Sequence, residues 1–143
     1  MEILTATNEK LESLGILLLR LALGVILFIG GAGKVMGWFG ALGIGFGIEK
    51  TLGFYAASGF SAPLAYLSMF AEFVGGFLLV IGLLTRLAAL AVTINMLVAF
   101  VVMLPQGFFL GFAAYPFVLA IVALTILLTG PGRYSLDALI FRK

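Results

Sequence analysis

Residues 71–90 read AEFVGGFLLVIGLLTRLAAL. Over the first fifteen positions Glu72 is the only charge, and Arg86 follows where the apolar run pauses. A helix needs about 20 mostly apolar residues to cross roughly 30 Å of hydrocarbon. One such run, 63–84, ends in this stretch and another, 87–104, begins in it. The stretch therefore has the pattern of a turn between two membrane-spanning helices. Pro63 suits a first helical turn, where its missing N–H is not needed, and Pro105 closes the second run.

Working outward, residues 14–36 form another apolar span, interrupted by Arg20 and ending near Lys34. Residues 115–129 form a fourth, extended back to 109 to reach spanning length, and Gly130-Pro131-Gly132 stops it. None of the four alternates with period two, which argues against strands. The expected fold is an all-α membrane protein, a single domain over 1–143. It is a four-transmembrane-helix bundle with a short interfacial helix or loop between the first two spans. Within that connection, residues 48–58 have the character of a helix lying at the interface. The Gly43, Gly45, Gly47 string nearby follows no strand and precedes no P-loop lysine, so it is expected to be a closely packed loop.

Composition narrows the chemistry. The chain is 64% hydrophobic and 10% charged, whereas soluble domains run near 45–50% and 25%; its mean hydropathy is +1.29. A net charge of +2 leaves no basic patch for nucleic acid. There is no Cys and no His, which removes the usual ligands for iron–sulfur clusters, haem, zinc and copper. No metal site is expected, and redox chemistry would draw on a quinone, a flavin or a partner subunit. The polar first thirteen residues lack the basic n-region of a signal peptide, so the first span is expected to be a retained helix.

Orientation follows from the basic residues. Lys10, Arg86, Arg133, Arg142 and Lys143 fall on one side, against Lys50 and the helix-end Lys34 on the other. The positive-inside rule then puts both termini in the cytoplasm. Many of the aromatic residues gather toward the outer side. Trp38, Phe39, Tyr66, Phe70, Phe108 and Tyr115 are candidate contacts for a quinone or lipid, and a plain interfacial belt is the simpler role.

Three charges fall inside apolar spans: Arg20, Lys34 and Glu72. Each costs a few kcal/mol to bury unless it is paired. Arg20 and Lys34 lie four turns apart and share a face with Gly24 and Gly31, while Glu72 shares one with Ala65, Ser68, Gly75 and Gly76. Small residues let membrane helices approach closely. Side chains lean toward their helix N-terminus, so on antiparallel spans Lys34 leans inward as Glu72 leans outward. A buried Lys34–Glu72 pair is expected, with Arg20 snorkelling toward the cytoplasm or meeting Glu12. Such a pair is either an internal clasp or the polar end of a proton path or quinone pocket. Asn95 offers an interhelical hydrogen bond or a ligand-binding amide. No catalytic residue is identified.

Five stretches, taken in order, resemble the DoxX family of small four-helix membrane proteins. They are LLLRLALGVILFIGGAGK (17–34), SGFSAPLAYL (58–67), AEFVGGFLLVIGLLTRLAAL (71–90), LPQGFF (104–109) and LLTGPGRYSLDAL (127–139). The resemblance implies a bacterial or archaeal inner-membrane protein. It also implies charged landmarks at Arg20, Lys34, Glu72 and Arg86. Some family members are subunits of a thiosulfate:quinone oxidoreductase, and others join redox-defence assemblies. Three departures matter: Gly30 and Met103 stand where relatives often have His, and Ala114 where many have an acid. Most of the proton-transfer chemistry of a quinone site is thereby removed.

Three functions are compatible with this reading. The first is an accessory membrane subunit of an oxidoreductase or electron-transfer complex, not catalytic alone, touching quinone or lipid and bound to partner subunits. The second is a quinone-reactive subunit of a thiosulfate:quinone oxidoreductase-like enzyme. The third is a small permease or lipid-handling protein, for which a homo-oligomer would have to build the path.

Overall fold

The computed structural model describes residues 8–38 and 45–141. Phe39, Gly43, Arg142 and Lys143, named above, lie outside the described residues. The elements in chain order are α1 (Glu9–Met36), α2 (Ile48–Ala57), α3 (Ala62–Ile81), α4 (Thr85–Met103), a 3-10 turn (Leu104–Gln106), α5 (Ala114–Thr129) and α6 (Leu136–Phe141). Among the described residues there is no strand.

Helices α1 and α3, and α4 with its 3-10 turn, are long and apolar enough to cross a membrane. Helix α5, with 16 residues, spans about 24 Å at 1.5 Å per residue. The four pack as a ring, α1 on α3, α3 on α4, α4 on α5, with α5 returning to α1. Leu23, Leu27, Leu79, Val92, Met96, Leu119 and Ile126 fill the centre. Outward-facing leucines, valines and phenylalanines such as Leu18, Val25, Phe77, Leu87, Val101 and Leu128 are exposed on the ring. An apolar exterior on this scale needs lipid around it. The protein is a membrane-embedded α-helical bundle.

The helix limits differ from the sequence expectation at three places. Helix α1 begins at Glu9 rather than 14, because the Asn8 side chain accepts from the Lys10 amide and Glu9 and Glu12 suit the positive helix start. The hairpin turn lies at 82–84 rather than 85–86. Gly82 adopts φ +70, and the amides of Gly82 and Leu83 both return to the Leu78 carbonyl, so α3 stops at Ile81 and α4 starts at Thr85. Helix α5 begins at Ala114, not 109. Gly107 and Phe112 have positive φ, and the Ala114 amide bonds to the Phe108 carbonyl at 2.8 Å, so the chain turns before the helix starts.

Candidate functional site

Glycine brings α1 and α3 together. A Cβ on Gly31 would lie 2.5 Å from the Phe73 backbone, one on Gly76 would lie 2.5 Å from the Phe28 amide nitrogen, and one on Gly24 would lie 2.8 Å from the Gly76 carbonyl. Backbones this close tolerate no side chain at the contact. Gly75, one residue on, turns toward Val92 of α4 instead. Phe28 stacks on Phe73 with ring centroids 5.2 Å apart and seals the seam from lipid.

The seam sets Lys34 above Glu72. Lys34 Nζ donates to Glu72 Oε1 at 2.8 Å and to Oε2 at 2.7 Å. The two side chains are 31% and 8% exposed, so the carboxylate is buried while the ammonium keeps an open side. This is the only ion pair among the described residues.

Two more helices complete the site. Asn95 of α4 donates from Nδ2 to Glu72 Oε1 at 3.2 Å, and Ser68 of α3 donates to Asn95 Oδ1 at 2.6 Å. Tyr55 of α2 lies 2.7 Å from Ser68 Oγ. The serine has one hydroxyl hydrogen and spends it on Asn95, so the tyrosine must be the donor in that pair. Every donor in the row Tyr55, Ser68, Asn95 therefore points toward Glu72, as does Lys34 from the other side. Thr51 of α2 bonds to the Gly47 carbonyl at 2.8 Å and lies 3.3 Å from the Lys34 carbonyl, and the Gly47 amide reaches the Gly33 carbonyl at 3.1 Å. These contacts moor α2 over the end of α1. Tyr115 of α5 is within electrostatic reach of both Lys34 and Glu72.

The remaining candidates do not gather here. Trp38, Tyr66 and Phe70 are exposed on the lipid side. Phe108 joins a separate ring cluster with Phe100, Phe109 and Phe117. Phe39 lies outside the described residues. Among those residues no group of His, Cys, Asp and Glu could hold a metal.

Arg20 neither snorkels nor meets Glu12. It is 1% exposed, and its Nη2 donates to the Tyr134 carbonyl at 2.6 Å. The C-terminal strap folds back under the bundle and encloses it. There Asp137 accepts from the amides of Leu84 and Thr85, each at 2.8 Å, and its own amide reaches the Gly82 carbonyl at 2.9 Å. It thus caps α4 from outside the helix, and it supports Leu84 at φ 48, which a leucine rarely adopts. The contributions of Tyr55 and Asp137 were not read from sequence. The signal for Ser68 was its place one turn before Glu72, and for Asp137 its being the lone acid after the fourth span.

The family model for DoxX matches residues 15–105. Over 135 residues the chain is 28% identical to CatD of Bacillus subtilis (strain 168), whose name calls it provisionally an oxidoreductase. That match covers 94% of this chain and 92% of the relative. Over 140 residues it is 30% identical to the inner membrane protein YqjF of Escherichia coli (strain K12), covering 94% of this chain and 98% of the relative. No solved structure matches. With the family model spanning well over half of it, the chain belongs to the DoxX family.

Proposed function

We propose that the chain is an accessory subunit of an oxidoreductase or electron-transfer complex in a bacterial inner membrane, with both termini cytoplasmic. The name of one relative supports the redox association, and that of the other supports the inner membrane. The bias of Lys and Arg toward one side supports the orientation. The observation that carries the reading is the Lys34–Glu72 pair itself. It is braced by three helices and yet keeps a lysine 31% exposed inside an apolar bundle. A chain without His or Cys has few means of holding a redox centre, so electrons would come from a partner or a quinone. A quinone fits in one respect: the Lys34 ammonium has a third N–H beyond the two given to Glu72, and a carbonyl oxygen could accept it.

Purification from native membranes in mild detergent, with mass spectrometry of polypeptides and bound quinone, tests this. A redox polypeptide should co-purify in fixed ratio. Recovery of the chain alone would overturn the proposal. A second reading, that the subunit reacts with quinone itself, draws on the same exposed ammonium. Glu72→Gln should then abolish quinone-linked turnover in a folded protein, and unchanged turnover excludes it.

A further inference from the structure

At the end of the bundle opposite Lys34 and Glu72 lies a second polar cluster that the proposed function does not use. Its centre is the N-terminus of α4, where both oxygens of the Asp137 carboxylate are taken by the amides of Leu84 and Thr85. Around it stand buried donors with nothing to bind. Arg20 Nε and Nη1 have no partner, and Thr85, 0% exposed, has its hydroxyl beside the Asp137 carboxylate. The Arg20 guanidinium fills the space a side chain on Gly82 would need, and Gly82 in turn carries the carbonyl that holds the Asp137 amide. The cluster therefore gathers five donor atoms, the Leu84 and Thr85 amides, Thr85 Oγ1 and Arg20 Nε and Nη1, around a carboxylate with two oxygens. A tetrahedral phosphate has more acceptor atoms, and a helix N-terminus favours its charge.

Beyond the buried Ser135, the strap that supplies Asp137 makes few buried contacts. No residue of α6 is buried, and Leu139, Ile140 and Phe141 are exposed. Segments with so few buried contacts open at low cost. The rim combines exposed Leu84, Leu87 and Leu136 with the exposed bases Arg86 and Arg133, and Arg86 lies against Gly130. Apolar and basic groups at the end of a spanning helix match the boundary between acyl chains and headgroups.

We propose that the N-terminus of α4 is a phosphate site whose resident anion is the chain's own Asp137, and that the headgroup phosphate of an anionic lipid takes its place when the strap lifts. The strap and the lipid then compete for one set of donors.

The test uses the full chain in lipid nanodiscs. In phosphatidylcholine, Asp137→Asn should melt about 4 °C below the native chain through loss of the cap. Doping with phosphatidylglycerol should restore most of that shift, and native mass spectrometry should find one phosphatidylglycerol retained. Thr85→Val added to Asp137→Asn should lower melting in phosphatidylcholine little further, because the carboxylate beside this hydroxyl is already removed. It should nevertheless cut phosphatidylglycerol retention several-fold. Absence of recovery, or recovery and retention indifferent to Thr85→Val, would overturn the proposal. Equal recovery with inorganic phosphate in phosphatidylcholine would overturn the lipid as its source.

Discussion

Glu72, halfway along α3, and Asp137, at the strapped end of the bundle, are both bound carboxylates, and they are held by different means. Glu72 is gripped by side chains alone: Lys34, then Asn95, which Ser68 and Tyr55 support in turn. Asp137 is gripped by backbone amides at a helix start, and its neighbour Arg20 gives Nη2 to a backbone carbonyl. A side-chain network can be altered residue by residue while the helices stay where they are. A backbone-held acid is part of how the helices stop and start. The second carboxylate therefore helps to define the fold.

The largest expected effect lies at the side-chain end. Glu72→Ala should cost about 3 kcal/mol, toward the low end for a broken buried pair because Lys34 is 31% exposed. The double variant Lys34→Met with Glu72→Leu should recover most of that in equilibrium unfolding from detergent. A double variant no better than Glu72→Ala would mean that the pair does more than cancel its own burial cost. The seam beneath it comes next. Gly31→Ala drives a methyl into the Phe73 backbone and should cost about 2 kcal/mol. Gly30→Ala, whose Cβ would sit 3.7 Å from Glu72 Oε2, should be neutral or stabilise by up to about 1 kcal/mol. Equal effects at these neighbours would break the assignment of the seam.

The backbone-held end predicts a pH dependence. Burial alone would raise the Asp137 carboxyl, but the Thr85 amide and hydroxyl and the Leu84 amide, together with the Arg20 charge, hold it below the ordinary aspartate value. A lowered folded value means that the carboxylate contributes its stability above the unfolded value and loses it as pH falls through the lowered one. Thermal melts from neutral to strongly acid pH should show that loss in the native chain, and Asp137→Asn should remove this part of it. The smallest effect is expected at Tyr55, the outermost donor. Tyr55→Phe should cost about 0.6 kcal/mol, and a cost as large as that of Glu72→Ala would make α2 integral to the site.

The four spanning helices were legible because apolar length is written directly in the residues around 63–84 and 87–104. The Lys34–Glu72 geometry could be approached from sequence because two rules, small-residue faces and side-chain lean, act within single helices. Arg20 could not be placed that way. Its partner, the Tyr134 carbonyl, lies 114 residues along the chain and has no side-chain signature. The same holds for the stop at Ile81 and the start at Ala114, which depend on positive-φ backbone at Gly82 and Phe112 rather than on hydropathy.

The direction of hydrogens in the row from Tyr55 to Glu72 bears on energy conservation. Hydroxyls pass protons by turning over, but the Asn95 amide that links Ser68 to Glu72 does not protonate and release in that way. Beyond Glu72, toward the strap, lie Leu23, Leu27, Leu79 and Ile126, which are buried and apolar. An acid and a base therefore reside within this membrane protein with a layer of apolar side chains, and no side-chain proton carrier among the core residues, between them and the strap.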